Sequence, residues 1–387
     1  MDTRAAGPFR VPHGRGVRKS TCHYTLRPFA DARTIDRALI FPGRGRFRLW
    51  PTIYGMSNND STSTLLDALL WRPDILGEGF EAATLTTPDT PEHATLVRAL
   101  PDAPTGKPAL LWIHGMSDYF FQTHVAEHFL AQGHPFYAID LRRCGRSRQD
   151  GEYWHYTTDL AEYFPELNEA LRLVAAKHHR VVPVAHSTGG LIAALWLDHL
   201  RRERPAEHAA VAGLLLDSPW LDMQFPPLVV KALRGPVSVL GKRFPALKLP
   251  KSGTGTYGES ISASAHGRWE FDTDMKPISG HLVRLGWLRA IFRGQEEIHS
   301  GVDTGVPTLT LCSSHSYLNK PYSAAADTAD TVLDVDQIRR WAPTLAQGAR
   351  VETINGALHD VFLSEPHPRE AAFHAADAWL EALPAGN

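Results

Sequence analysis

From about residue 79 onward, short apolar runs alternate with amphipathic stretches, the pattern of mostly parallel strands joined by covering helices. Two edge strands are predicted first, near 79–87 and 92–99. After the Pro/Gly-rich turn PDAPTGKP (101–108), ALLWIH (109–114) reads as a buried strand, followed by a helix over 118–132 and the strand FYAID (136–140). Leu160, Phe164, Leu167, Leu171 and Val174 form one apolar stripe at helical spacing and predict the next helix. VVPVAH (181–186), GLLLD (213–217) and PTLTL (307–311) supply further central strands. A strand near 350–354 and a helix carrying Phe373, Ala376, Leu380 and Leu383 close the pattern. The interval between GLLLD and PTLTL far exceeds an ordinary 2–6-residue loop and reads as an insertion. Its first half is apolar and Pro-rich (Trp220, Leu221, Phe225, Leu228, Val229, Val230, Leu233, Leu240, Phe244), while 251–280 is Gly/Ser-rich and then polar. The expected fold class is α/β: a mostly parallel sheet covered by helices, with a core of 56–218 and 291–387 interrupted by a cap at 219–290.

The sharpest chemical signal lies in VVPVAHSTGGLIAALWL (181–197), where an apolar strand runs through A-H-S-T-G into a helix. Small residues two positions either side of a serine permit a strained strand-to-helix turn that exposes the hydroxyl at the sheet's carboxyl edge. Here Ala185 stands at the first small position and Gly189 at the second, with His186 before the candidate nucleophile Ser187. A helix N-terminus behind Ser187 favours developing negative charge. The bland reading, a serine capping an ordinary βα unit, does not require small residues on both sides.

Acyl transfer also needs donors for an oxyanion. LLWIHGMSDY (111–120) places a loop after the preceding central strand, so the amides of Met116 and Thr188 are the expected donors, with His114 and Gly115 shaping the turn. The general base should follow the last strand, and His359 in NGALHD (355–360) does so. Its orienting acid is open on spacing alone: Asp327, Asp330, Asp334 and Asp336 follow the strand at 307–311, and Asp217 ends the strand before it.

HGMSDY, DLRRCGRS (140–147), AHSTGG and LHD (358–360), in this order, resemble the α/β-hydrolase superfamily, and within it the monoacylglycerol lipase, lysophospholipase and serine aminopeptidase (S33-like) branch. The similarity covers roughly 79–384. The resemblance implies a serine esterase working through an acyl-enzyme without a cofactor, and its acid segment matches DTVLDVDQIRRW (330–341), which puts the acid at Asp330. Departures are Ala185 for glycine, Val335 for proline and a long insertion before Asp330. The rival activity is an aminopeptidase-like amidase, which needs a carboxylate in the cap to hold an α-ammonium group; Glu270, Asp272 and Asp274 are the candidates. A hydrolase fold serving only as a binding module is the third reading.

Two other patterns point less far. H-V-A-E-H (124–128) spaces two histidines like an inverted zinc motif, but no third ligand is nominated and no metal is expected. Tyr153, Trp154 and His155 read as packing, and Asp140 as a partner of the Arg-rich loop 142–148.

With 43% hydrophobic and 21% charged residues, the 387-residue chain is of globular composition. Three cysteines without C-x-x-C spacing suggest neither a disulfide framework nor a zinc ribbon, and a reducing cytoplasm is expected. Net charge is −2, unevenly spread: residues 1–55 hold ten Arg and one Lys against three Asp, +8, so the remainder carries −10. That basic segment shows no sustained period and reads as a poorly ordered extension, with Met56 the expected start. The expected partner is a small ester with an acyl chain, with at most peripheral membrane contact and no nucleic acid.

Overall fold

The computed structural model describes residues 64–87, 92–250 and 255–384; the basic segment 1–55 lies outside them. The described strands are β1 (Arg72–Pro73), β2 (Phe80–Thr86), β3 (His93–Ala99), β4 (Ala109–Ile113), β5 (Phe136–Asp140), β6 (Val181–His186), β7 (Leu214–Asp217), β8 (Thr308–Ser313) and β9 (Arg350–Ile354). They form one sheet in the order β1-β2-β3-β5-β4-β6-β7-β8-β9, antiparallel through β3–β5 and parallel from β5 onward. The helices are α1 (Thr123–Ala131), α2 (Phe164–His178), α3 (Thr188–Glu203), α4 (Pro205–His208), α5 (Pro227–Arg243), α6 (Thr256–Ile261), α7 (Leu285–Gly301), α8 (Val335–Trp341) and α9 (Pro366–Glu381). This is the α/β-hydrolase fold. The expected strand at 92–99 is β3, which pairs with β2 and β5 and so lies inside the sheet.

Central strands β4, β5, β6 and β7 are buried at every position, which is why each reads as an unbroken apolar run rather than an alternation. Their side chains nevertheless divide by the two-residue period of a strand. Leu111, Ile113, Val181, Ala185, Leu214 and Leu216 enter the core on one face, with Leu167, Leu171 and Val174 of α2. Leu110, Trp112, Val182, Val184 and Leu215 enter the other, with Phe129 of α1 and Phe373 of α9.

The helix expected from 118 starts only at Thr123. Residues before it are committed elsewhere: Ser117 has φ 56°, the Phe120 amide donates to Asp140 Oδ1 at 3.0 Å, and Arg146 donates to the Phe120 carbonyl at 3.1 Å. Arg146 also pairs with Asp140 and Asp74 at 2.7 Å. Asp140 is thus the structural partner expected for the Arg-rich loop, and Gly145 fits there because a Cβ would come within 2.4 Å of Asp140 Oδ2.

Because β4 pairs with β5 on one side and β6 on the other, the chain direction of travel across the sheet reverses at β4. A crevice opens at the carboxyl ends of strands beside such a switch, and the loops after β4 and β6 both lead into it. Between β7 and β8 stand α5, α6 and α7. Helix α7 runs through residue 290 without a break, and it packs on α3 as well as on α5.

Candidate active site

The turn after β6 has the geometry the sequence requires. Ser187 sits at φ 53°, ψ −117°, a conformation costly for any residue with a Cβ and retained where surrounding structure enforces it. Its amide donates to the Asp217 carbonyl at 2.9 Å, and its carbonyl accepts from Gly190 and Trp220 at 3.0 Å each. Close packing explains the small residues. A Cβ on Gly189 would lie 2.5 Å from the His114 carbonyl oxygen and 2.6 Å from that of Ile113; one on Gly190 would lie 2.6 Å from Pro219 Cβ.

His359 Nε2 is 2.9 Å from Ser187 Oγ, and His359 Nδ1 is 2.9 Å from Asp330 Oδ2. The three side chains are buried, Ser187 the most accessible at 7%. Asp330 Oδ1 accepts from the amides of Val332 and Leu333 at 2.8 Å each, which fixes the carboxylate so that Oδ2 faces the imidazole. These contacts decide among the five candidate acids. Asp334 caps α8 by accepting from the Asp336 amide, and Asp327 accepts from the Tyr322 hydroxyl. Asp336 pairs with Arg339, and Asp217 stands 3.3 Å from His186 Nδ1 and accepts from the Val361 amide at 3.2 Å. The long route to Asp330 is a loop that returns: the Asp330 amide donates to the His315 carbonyl at 3.0 Å and Tyr317 donates to the Asp330 carbonyl at 2.7 Å. The acid therefore ends beside β8 despite the intervening residues.

The loop after β4 lies against the nucleophile. An added Cβ on Gly115 would be 3.0 Å from Ser187 Cβ. His114 Nδ1 donates to the Gly115 carbonyl at 2.7 Å, and its Nε2 accepts from the Leu141 amide at 3.1 Å, so His114 holds the turn rather than reaching substrate. Met116, Thr188, Ser187, His186 and His359 border one cavity of about 590 Å³. Its outer wall is largely apolar, including Trp220, Met223, Phe225, Leu249, Val283 and Trp287 from the inserted segment.

One polar pair interrupts that wall, unannounced by any sequence signal. Lys276 Nζ lies 2.8 Å from Asp118 Oδ1, with Asp118 Oδ2 buried and unpaired. The cap carboxylates offered for an α-ammonium group, Glu270, Asp272 and Asp274, are exposed and do not border the cavity. Of the H-V-A-E-H histidines, His124 Nε2 bonds the Phe362 carbonyl at 2.9 Å and stacks on Trp269, while His128 Nε2 meets Asp377 at 2.9 Å. They serve separate partners. His155 is buried with its ring edge-on to His114, and Trp154 stacks on His281. A different group, His186, Asp217 and Asp360, brings three potential ligand atoms within 4.8 Å of one another.

A nucleophilic serine on a strained elbow, a histidine bridging it to a buried aspartate, and a doubly covered parallel sheet define an α/β-hydrolase with a Ser187–His359–Asp330 triad of the serine hydrolase type. The chain belongs to the serine aminopeptidase S33 family, whose sequence profile matches residues 105–367. No curated protein matches it by sequence. Among solved structures it resembles a soluble variant of monoglyceride lipase from Saccharomyces cerevisiae in complex with a substrate analog: 14% identity, TM-score 0.55, covering 78% of this chain and 95% of that one. It also resembles the Paleococcus ferrophilus monoacylglycerol lipase (19% identity, TM-score 0.53, 74% and 98% covered). A highly thermostable carboxyl esterase from Bacillus coagulans is similar too (12%, 0.54, 79% and 99%). At such identities the likeness is one of fold.

Proposed function

We propose that this chain hydrolyses carboxylic esters carrying an apolar acyl chain, of the acylglycerol or lysophospholipid kind. The observation that carries the reading is the Ser187–His359–Asp330 relay at the floor of a cavity whose outer wall is mostly apolar. In this mechanism His359 takes the Ser187 proton as Oγ attacks the ester carbonyl, and the Met116 and Thr188 amides hold the oxyanion. The same imidazole then protonates the leaving alkoxide, and water repeats the sequence to release the acid. Asp330 fixes the tautomer and supports the imidazolium. None of these steps calls for a cofactor. The segment 219–284, ending where α7 begins, acts as the cap that shapes the acyl site.

Two of the named structural relatives are monoacylglycerol lipases, which supports this substrate class. The amidase reading loses its anchoring group, because Glu270, Asp272 and Asp274 stand outside the cavity lining. Among the described residues no helix is long and apolar enough to cross a membrane. Cys144 and Cys312 are free, buried thiols, and the proposed setting is a reducing cytoplasm with at most peripheral membrane contact. The test is a panel of p-nitrophenyl esters from acetate to palmitate beside alanine and proline anilides. Turnover of esters with neglect of the anilides is expected; the reverse would establish the amidase.

A further inference from the structure

Behind the catalytic histidine sits a group of side chains that the ester mechanism leaves unused. His186 precedes the nucleophile, Asp217 ends β7 and Asp360 follows His359; their exposures are 2%, 0% and 0%. One carboxyl oxygen of Asp217 and one of Asp360 lie within 4.8 Å of each other and of a ring nitrogen of His186. Two negative charges so close and so completely buried repel each other, which favours keeping one proton on the pair. Neighbouring donors fix the pair in place: the Val361 amide to Asp217 Oδ1 at 3.2 Å, Gln122 Nε2 to Asp360 Oδ2 at 3.0 Å and the Phe362 amide to Asp360 Oδ1 at 3.0 Å. His186 Nδ1 stands 3.3 Å from Asp217 Oδ2, and its ring centroid is 4.8 Å from that of His359.

We propose that the Asp217–Asp360 pair is a positioning unit for His359, holding one shared proton so that a single negative charge, not two, lies beside the two histidines during turnover. This rests on the ester-hydrolase reading. Burial is the largest influence on both carboxyls and pushes each up to about 7, with the partner acid adding to the effect at Asp360. The charged and titratable groups around the pair are few. His186 and His359 face it from the elbow and the loop after β9, Tyr257 from α6, Cys312 from β8 and the triad acid Asp330 beyond His359; the Asp118–Lys276 pair shares His186 and Tyr257 with it as neighbours. When the shared proton leaves, a second charge strengthens the hold on any proton reaching His359, and the free base is harder to obtain. A divalent cation at the same three groups would displace the proton, and that alternative is measurable.

Asp360→Asn supplies a fixed N–H donor to Asp217 and removes the titration. With p-nitrophenyl butyrate, the ascending limb of kcat/KM against pH in the native protein should span more than one ionisation. In the variant it should narrow to one and move to lower pH by about one unit. A purely structural role would leave the limb in place. A second readout needs no turnover. Both carboxyls hold their proton more tightly folded than at their ordinary value of 3.8, so their contribution to stability is complete at low pH and is lost as pH rises through about 7. The native Tm should fall across that interval, and the Asp360→Asn slope should be flatter. If no ester is cleaved at all, the functional reading fails while the Tm comparison still reads the proton. Should the variant not fold, the infrared carbonyl band of a protonated carboxyl in native protein decides, being expected at about pH 6 and absent at about pH 8.5. Superimposable pH profiles with parallel Tm curves, no such band, or a stoichiometric divalent ion in the purified protein would each overturn the proposal.

Discussion

Lys276 and Asp118 form an ion pair at 2.8 Å in which neither side chain is more than 6% exposed, joining the inserted segment to the loop after β4. Burial opposes ionisation of Asp118, yet the Lys276 ammonium prevails and its carboxyl lies below its ordinary value. The pair fixes the segment over the cavity at a point where the other contacts are aromatic: the Lys276 ammonium sits 5.4 Å from the Phe121 ring and 5.3 Å from that of Tyr257.

Removing one partner of a buried pair is expensive because the other charge stays behind. Lys276→Met should therefore destabilise the protein by about 3–5 kcal/mol, and adding Asp118→Asn should recover much of the loss. Urea unfolding of the two variants and the native protein measures this. Equal destabilisation by the single and the double change would show that packing, not charge, is what the pair supplies.

The triad predictions concern rate rather than stability. Ser187→Ala should abolish covalent labelling by a fluorophosphonate probe. Asp330→Asn should lower kcat by about 10⁴ with little change in KM, since the imidazole keeps its place but loses its working tautomer. Asp334→Asn should stay within a few-fold of native, because asparagine caps a helix as well as aspartate does. A large loss at Asp334 in place of Asp330 would reassign the acid.

Chain-length dependence tests the cavity wall. Each methylene buried against Trp220, Met223 or Trp287 contributes about 0.8 kcal/mol, so kcat/KM should rise about fourfold per added carbon over the first several. Activity that is flat beyond acetate would mean that the acyl chain does not lie against these residues.

Gly189→Ala tests the elbow. The new methyl would meet the main-chain oxygens of Ile113 and His114 at 2.6 and 2.5 Å, atoms that cannot step aside as a flexible side chain can. A loss of about 1–3 kcal/mol is expected, together with a fall in kcat as β4 and α3 are forced apart. Differential scanning calorimetry and ester turnover on one sample would read both, and an unchanged Tm would contradict the packing described.

What the sequence determined by itself follows from local rules. Buried parallel strands need continuous apolar runs, so β4 to β8 were legible as such, and the A-H-S-T-G turn revealed Ser187 because only small neighbours permit the elbow. His359 was legible from its place after the last strand. Asp330 was not, on spacing alone: the choice among five acids depended on a loop folding back on His315 and Tyr317, which no periodicity records. Tertiary structure also decided where α1 begins, because Ser117 takes a positive φ and the main chain of Phe120 bonds Asp140 and Arg146. The Lys276–Asp118 and Asp217–Asp360 pairs left no sequence signal. Each is assembled from distant segments, and their chemistry arises from exclusion of water, which exists only once the chain has closed around them.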